Sequence, residues 1–224
     1  MKYQYHVHKN LKAEQNVPDW DAPVWAEAEI ADLAYFHPKS SCHRPRTQVK
    51  ICYNPSDIFV LFRVEDRYVR SRHTEYNAKV HEDSCVEWFI QPPGSEGYYN
   101  IEVNGGGTLH VNYIIDPERD ETGKRRDMRS IPPDIAKMIK IQSTLPRIVD
   151  PEIVTPVTWL LAIQIPVEFF TYFSRIYDIN GSVWQGNLYK CGDKTSHPHW
   201  GAWKPIDELN FHQPACFGQF VFDP

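Results

Sequence analysis

The amino-acid sequence predicts an all-β fold, either a sandwich or a barrel. Three stretches, Cys85–Gln91, Tyr98–Asn104 and Thr108–Ile114, alternate apolar and polar side chains, and alternate residues of a strand point to opposite faces. Eighteen prolines and eleven glycines divide the chain into short runs, which is typical of strands joined by turns. We expect one domain over residues 1–224, a length sufficient for a sizeable core.

The elements follow in chain order. Tyr3, Tyr5 and Val7 alternate as in an edge strand, and a second strand is expected near Ala28–Leu33. Asn54–Asp57 has the composition of a hairpin turn between two strands, within a meander that runs from Gln48 to Ile115. Further strands are predicted at Lys137–Gln142, Thr158–Ile165, Trp184–Tyr189 and Cys216–Phe222, with one short helix at Pro166–Phe173.

The segment Asp116–Asp134 is highly charged and lacks periodicity. A connection of this length without secondary structure is usually functional or disordered. It is therefore either a lid over a binding face or a mobile insertion.

Two faces of the central meander differ in chemistry. One is apolar and predicted to face the core: Val86, Trp88, Ile90, Tyr99, Ile101, Val103, Leu109, Val111 and Tyr113. The other carries carboxylates, amides and hydroxyls: Glu87, Asn100, Glu102, Asn104, Thr108, His110 and Asn112. Such a surface suits neutral polyols such as sugars, although the solvated side of any antiparallel sheet is also polar.

Composition excludes several classes of function. The formal net charge of -5 argues against nucleic-acid binding, which needs a basic patch. We expect no membrane interaction, because neither a signal peptide nor a membrane-spanning segment is recognisable, and the compartment and any protein partners stay open. The five cysteines have no metal-type spacing and are expected to be free thiols.

Several segments, in their order and spacing, resemble the family 9 carbohydrate-binding modules. They are Ile58–Asp66, His81–Phe89 with the following Tyr99–Ile101, and Phe211–Gly218 before an aromatic strand. Gly186–Asp193 and His199–Ile206 are similar to a subgroup of free-standing proteins in this family. The resemblance covers most of the chain.

The resemblance implies a two-sheet β-sandwich, of jelly-roll or immunoglobulin-like form, that binds oligo- or polysaccharides non-catalytically in connection with polysaccharide use. In well-described members two Trp clamp a terminal sugar while carboxylate, amide and Arg side chains hold its hydroxyls. The clamp positions correspond to His81 and Phe211, the carboxylate to Glu87 and the Arg to Asn100. Two Trp and one Arg are thus replaced.

The candidate saccharide-binding residues are His81, Glu87, Asn100, Glu102, Trp203 and Phe211. Three of them, Phe211, Glu87 and His81, have a structural alternative. Phe211 could plug the core while Trp200 or Trp203 stacks on the sugar. Glu87 could pair with Arg63 or Arg72 across a sheet, and His81 could be an ordinary surface histidine.

Metal binding is a further expectation from the resemblance, because family members often hold structural calcium. Asp66, Glu82 and Asp83 offer hard oxygen ligands near strand ends, although a generic acidic loop explains them equally well. His197-Pro198-His199, with Asp193 and His212, matches no zinc signature.

Two other functions compete with non-catalytic binding, and together they leave enzymatic activity open. A glycoside hydrolase would use Glu87 and Glu102 as paired carboxylates about 5 Å or about 6.5–9.5 Å apart. A haem-binding sandwich would need an inward-pointing axial ligand, for which the three methionines offer little.

Overall fold

A computed structural model describes residues 3–13, 16–176 and 178–224, which form sixteen strands and two four-residue α-helices. The helices are α1 (Pro133–Ala136) and α2 (Val167–Phe170). The strands are β1 (Gln4–Lys9), β2 (Ala31–Asp32), β3 (Tyr35–Phe36), β4 (Arg46–Tyr53), β5 (Asp57–Asp66), β6 (Val69–Ser71), β7 (Cys85–Gln91), β8 (Tyr98–Asn104), β9 (Leu109–Arg119), β10 (Arg125–Ser130), β11 (Lys140–Ser143), β12 (Val149–Ile153), β13 (Val157–Pro166), β14 (Val183–Cys191), β15 (Trp200–Ala202) and β16 (Gly218–Phe222).

The strands form the two layers of a β-sandwich. The first sheet has the order β10-β9-β8-β7-β14-β16-β1, with β15 beside the end of β14 and β3 beside β15. The second has the order β1-β4-β5-β13-β11, with β2 beside β4. A small separate ladder joins β12 to β6. The fold class expected from the sequence is confirmed.

Strand β1 belongs to both sheets. Its first residues pair in parallel with β16, and His8 and Lys9 pair in parallel with β4. The strand is therefore interior, whereas the sequence suggested an edge. All other ladders are antiparallel, as expected for strands joined by hairpins and meanders.

The core lies between the layers and uses the predicted apolar face. Val86, Trp88 and Ile90 of β7 are buried there, and the alternating apolar residues of β8 lie beside them. From the second sheet, Phe62 and Trp159 pack into the same cluster. Full burial of one such side chain contributes roughly 1.5–3 kcal/mol, so the outward direction of the intervening polar residues is firmly fixed.

The charged segment differs from the predicted loop. Strand β9 continues to Arg119 and pairs with β10, which leaves residues 120–124 as the turn of a hairpin. The end of the predicted 137–142 strand lies in β11, and α1 precedes it. The described residues therefore form two α-helices, whereas the sequence predicted one: α2 lies within the predicted segment Pro166–Phe173, and α1 lies outside it. None of the helices in the described residues is long and apolar enough to span a bilayer.

The outer face of the first sheet is covered by the segment 203–217, which is referred to below as the C-terminal cover. Its Phe217, Ile206 and Phe211 pack on Phe89 and Tyr189 of the sheet. The part of the predicted polar face that carries Glu87 and Glu102 is buried and not open to solvent. It forms the floor of a covered space.

Candidate functional site

The floor of the site is built by three neighbouring strands of the first sheet. Glu87 of β7 lies directly opposite Glu102 of β8 on one side and Tyr189 of β14 on the other. Because cross-strand partners point to the same face, all three side chains project away from the core. Both carboxyl groups are almost completely buried; Glu87 is 2% exposed and Glu102 is 5% exposed.

The C-terminal cover forms one wall. Phe211 stacks on Tyr189, with ring centroids 4.1 Å apart and planes at 8°, and Phe217 meets the Tyr98 ring edge-on at 5.2 Å. Between cover and sheet remains a cavity of about 320 Å³, within the usual range for small-molecule sites. Its aromatic lining consists of Phe89, Trp200 and Phe211.

The polar lining combines acids and bases. The acids are Glu87, Glu102 and Asp193, and the basic groups are His81, His212, Arg119 and Arg125. The two arginines come from the hairpin formed by β9 and β10. Each guanidinium donates one hydrogen bond to a backbone carbonyl: Arg119 to Gly123 at 2.5 Å and Arg125 to Pro117 at 2.9 Å. A guanidinium has five N–H donors, so most of each fork is left for other partners.

Glu87 is the most perturbed acid of the floor. Its burial, together with the nearby Cys191 and the carboxylate of Glu102, raises the pKa of Glu87 well above its ordinary value. The Cys191 thiol donates a hydrogen bond to Glu87 Oε1 at 3.1 Å. The raised pKa favours the protonated form of Glu87, in which the carboxyl group can both donate and accept hydrogen bonds.

Glu102 is held by its neighbours. Asn100 Nδ2 donates to Glu102 Oε1 at 2.8 Å, and His81 Nδ1 lies 3.9 Å from Oε2. The side-chain oxygen of Asn100, Oδ1, in turn accepts a hydrogen bond from the backbone N–H of Asn112 at 2.8 Å. Asn100 thus orients the carboxylate from beneath and does not itself line the cavity.

Two further residues shape the mouth. Trp200 Nε1 donates to Asp193 Oδ1 at 2.7 Å, which fixes the indole against the cavity. Burial raises the pKa of Asp193.

On the opposite wall His212 Nδ1 and Tyr98 OH share a hydrogen bond of 2.7 Å. Burial and the charges of Arg125 and Arg119 lower the pKa of His212, which leaves the ring neutral.

Comparison with known proteins identifies the family. The model for carbohydrate-binding family 9 matches residues 25–222. The chain belongs to this family. No curated protein matches the sequence.

Solved structures resemble the chain over nearly its whole length. One is a predicted carbohydrate-binding protein from Bacteroides uniformis ATCC 8492, with a TM-score of 0.87, 28% identity and coverage of 99% of each chain. A family 9 module from Caldicellulosiruptor kristjanssonii, in complex with glucose, has a TM-score of 0.64 and 10% identity over 98% of this chain and 95% of that one. The same module in complex with cellotriose covers 98% and 93%, again at 10% identity. At that identity the likeness concerns the fold.

Four of the six candidate saccharide-binding residues line the cavity, namely His81, Glu87, Glu102 and Phe211. Trp203 does not. It is 9% exposed and packs in the core, with its ring 5.2 Å from that of Phe220. Trp200 provides the indole instead. The alternative partners considered for Glu87 are occupied elsewhere, since Arg63 pairs with Glu65 at 3.2 Å and Arg72 with Asp150 at 2.8 Å.

The three acids expected to hold calcium do not form a shared site. Nitrogen donors surround each carboxylate: Asp66 accepts from His43 at 2.7 Å, and Asp83 accepts the backbone N–H groups of Arg72 and His73 at 2.9 Å. Glu82 pairs with Lys194 at 2.9 Å. Calcium requires six to eight oxygen ligands, so these side chains do not fit the ion.

The histidines of the 197–199 segment likewise do not gather around a common point with Asp193 and His212. His197 stacks on Tyr68 with centroids 3.6 Å apart, and His199 Nε2 lies 2.7 Å from Lys190 Nζ. Burial, with the charge of Lys190, lowers the pKa of His199 to about 3. His199 is a neutral, buried partner of Lys190.

Arg119, Arg125, His212 and Asn210 were not foreseen as site residues, although all line the cavity. The two arginines lie in the charged segment Asp116–Asp134, for which a lid over the binding face was one of two expectations, and both line the cavity. Because the segment lacks apolar periodicity, the sequence did not indicate which of its side chains would reach the site. His212 follows Phe211 in a resembling segment, and that adjacency was the one available indication.

Proposed function

We propose that the cavity binds the end of an oligo- or polysaccharide without breaking a bond. The observation that carries the proposal is the convergence of carboxyl groups, guanidinium groups and aromatic rings on one cavity, in a chain of carbohydrate-binding family 9. The match over residues 25–222 supports the expectation that a single binding domain occupies most of the chain. The setting we propose is polysaccharide use.

Sugar hydroxyls each donate one hydrogen bond and accept others, and the cavity offers both kinds of partner. Glu102 accepts, whereas Arg119 and Arg125 donate. Glu87 supplies either role from the floor in its protonated form, which its raised pKa favours. The guanidinium groups provide the bidentate donors that Asn100 cannot, and they approach from the hairpin rather than from β8.

The apolar face of a sugar ring needs a flat hydrophobic partner. Trp200 and Phe211 are partly exposed and line the same cavity. One face of Phe211 is occupied by Tyr189, which holds the ring in place. Glucose and cellotriose, the ligands of the Caldicellulosiruptor module, are therefore the first compounds to test, followed by a broad glycan array.

Arg125 and Arg126 form a matched pair for mutation, because both changes remove one positive charge from the same strand. Arg125 lines the cavity, whereas Arg126 is exposed and pairs with Glu118. We expect Arg125→Ala to weaken saccharide binding about ten- to a hundredfold, the value of a hydrogen bond to a charged group. Arg126→Ala should leave affinity within about twofold. Equal affinities of the two variants in calorimetric titration would contradict the proposed site.

A second candidate, glycoside hydrolysis, is favoured by one observation. Glu87, whose pKa is raised, lies opposite Glu102, as an acid lies beside a base in such enzymes. Yet hydrolases place their carboxyl groups on either side of the scissile bond. Here both rise from adjacent strands of one floor, so they would contact a ligand from the same side. Chromogenic glycosides of each array-positive sugar distinguish the two functions, and we expect binding without release of chromophore.

A further inference from the structure

Two thiols face each other on adjacent strands beside Glu87, and one of them, Cys191, lines the cavity. Cys85 of β7 and Cys191 of β14 are direct cross-strand partners, and both are free and buried. The Cys191 thiol donates to Glu87 Oε1 at 3.1 Å. The three ligand atoms, two sulfurs and one carboxyl oxygen, all lie within 4.8 Å of one another. In the described part of the chain this is the single such group of His, Cys, Asp and Glu.

The spacing is close to what a tetrahedral soft cation requires. Zinc binds sulfur at about 2.3 Å and carboxylate oxygen at about 2.0–2.2 Å, which places two sulfurs about 3.8 Å apart and sulfur and oxygen about 3.5 Å apart. Cys191 and Glu87 are already 3.1 Å apart. Changes of about 1 Å in side-chain position would bring all three atoms onto one ion.

The surroundings also favour a cation. Glu102 and Asp193 add negative charge at the same end of the cavity. Lys190 precedes Cys191 but turns to the opposite face of β14, where it lies 3.6 Å from Asp66. Cys191 and Glu87 line the cavity and Cys85 lies behind them, so an ion could enter from the cavity and keep one coordination position directed into it.

We infer that Cys85, Cys191 and Glu87 form a binding site for a soft divalent cation of the zinc class, whose fourth ligand is water or a saccharide hydroxyl. Three protein ligands with one open position are typical of zinc sites accessible to small molecules. Binding releases the two thiol protons and the carboxyl proton to solvent. Because thiols and carboxyl groups bind a metal ion only after they lose their protons, metal affinity must increase with pH.

Cobalt(II) serves as the probe, because tetrahedral cobalt bound to thiolate absorbs strongly. The tag-free protein is kept reduced, freed of metal with a chelator and titrated with CoCl₂ at about pH 8, where thiolates form more readily. We expect a thiolate-to-cobalt absorption that saturates at about one equivalent and disappears when ZnCl₂ is added. Absence of this absorption in the folded protein would overturn the inference.

Matched variants locate the site. Cys85→Ser and Cys191→Ser should lose the thiolate absorption, whereas Cys42→Ser and Cys216→Ser, both outside the group, should keep it. Glu87→Gln should keep the absorption and weaken cobalt binding. If the absorption survives in Cys191→Ser, the assignment is wrong.

A measurement on the unmodified chain covers the case in which a variant fails to fold. X-ray absorption of the zinc-loaded protein should show two sulfur ligands and two lighter ones, and a shell without sulfur would contradict the site. Mass spectrometry of air-exposed protein tests the competing reaction, in which Cys85 and Cys191 form a disulfide. Loss of two hydrogens between Cys85 and Cys191, with no metal bound under reducing conditions, would mean that the pair is a disulfide-forming couple instead. Saccharide titrations of the chelator-treated protein test the proposed function separately.

Discussion

Replacing Glu87 by glutamine tests the central feature of the cavity floor, a buried carboxyl group whose pKa is raised above its ordinary value. In the unfolded chain Glu87 ionises near its ordinary pKa of about 4.3. In the folded protein burial raises the pKa of Glu87 well above that value. A raised folded pKa gives stability that is complete below pH ~4.3 and is lost as the pH rises toward the folded pKa.

The size of the effect follows from linkage. Each pH unit above the unfolded pKa lowers the free energy of unfolding by about 1.4 kcal/mol while the folded carboxyl stays protonated. The total loss is set by how far burial raises the folded pKa of Glu87 above the unfolded one. The amide introduced by Glu87→Gln cannot ionise, so the variant escapes this loss. Because the side chain is 2% exposed, solvent screening does not reduce the effect.

Urea unfolding of the wild type and of Glu87→Gln between about pH 4.5 and about pH 8 measures the difference. We expect the variant to gain on the wild type as the pH rises, by about 1.4 kcal/mol per unit at first. Glu121→Gln makes the same chemical change at an exposed turn position and should show no such trend. A difference for Glu87→Gln that stays constant across this range would refute a protonated floor.

Three further predictions concern buried groups. Lys190→Met should lower the free energy of unfolding by about 3–5 kcal/mol, because Asp66 is left buried without its cation 3.6 Å away; urea unfolding measures the loss, and Lys190→Met combined with Asp66→Asn should recover part of it. His199 has a pKa of about 3 in the folded protein and of about 6.5 in the unfolded chain. Its contribution to stability is therefore complete above about pH 6.5 and falls by about 1.4 kcal/mol for each pH unit below that value. His199→Gln should remove this pH dependence of the free energy of unfolding, and an unchanged dependence would refute the prediction. Trp203→Ala should cost about 3–5 kcal/mol of stability as a core truncation, and a variant that unfolds like the wild type but loses saccharide binding would contradict the placement of Trp203.

The direction of the side chains in the meander was predictable because alternate residues of a strand point to opposite faces of the sheet. Once Val86, Trp88 and Ile90 face the core, Glu87 must face away, and the short turn between β7 and β8 brings Glu102 opposite. Glu87 and Glu102 reach the cavity for this reason, whereas His81 and Phe211 reach it from segments outside the strands. Their burial was not predictable, because it depends on the C-terminal cover, which has little regular structure.

The hairpin formed by β9 and β10 shows the limit of periodicity. It extends beyond the core and is largely exposed, so both faces are polar and hydrophobic alternation carries no information. Its strands are held by backbone pairing with Arg125 opposite Arg119. Hydrophobic alternation also could not show that Trp200, and not Trp203, faces the cavity. Trp200 lies in β15 and faces the cavity, whereas Trp203 follows the strand end and turns into the core.

The most direct test of saccharide binding in this cavity uses the indole N–H signals of the seven tryptophans in NMR spectra, assigned by single Trp→Phe substitutions. During titration with an array-positive saccharide, the Trp200 signal should shift and saturate, because Trp200 lines the cavity and donates to Asp193. The signals of Trp159 and Trp184, buried between the sheets, should stay in place. Saturable binding that leaves Trp200 unmoved would contradict the site.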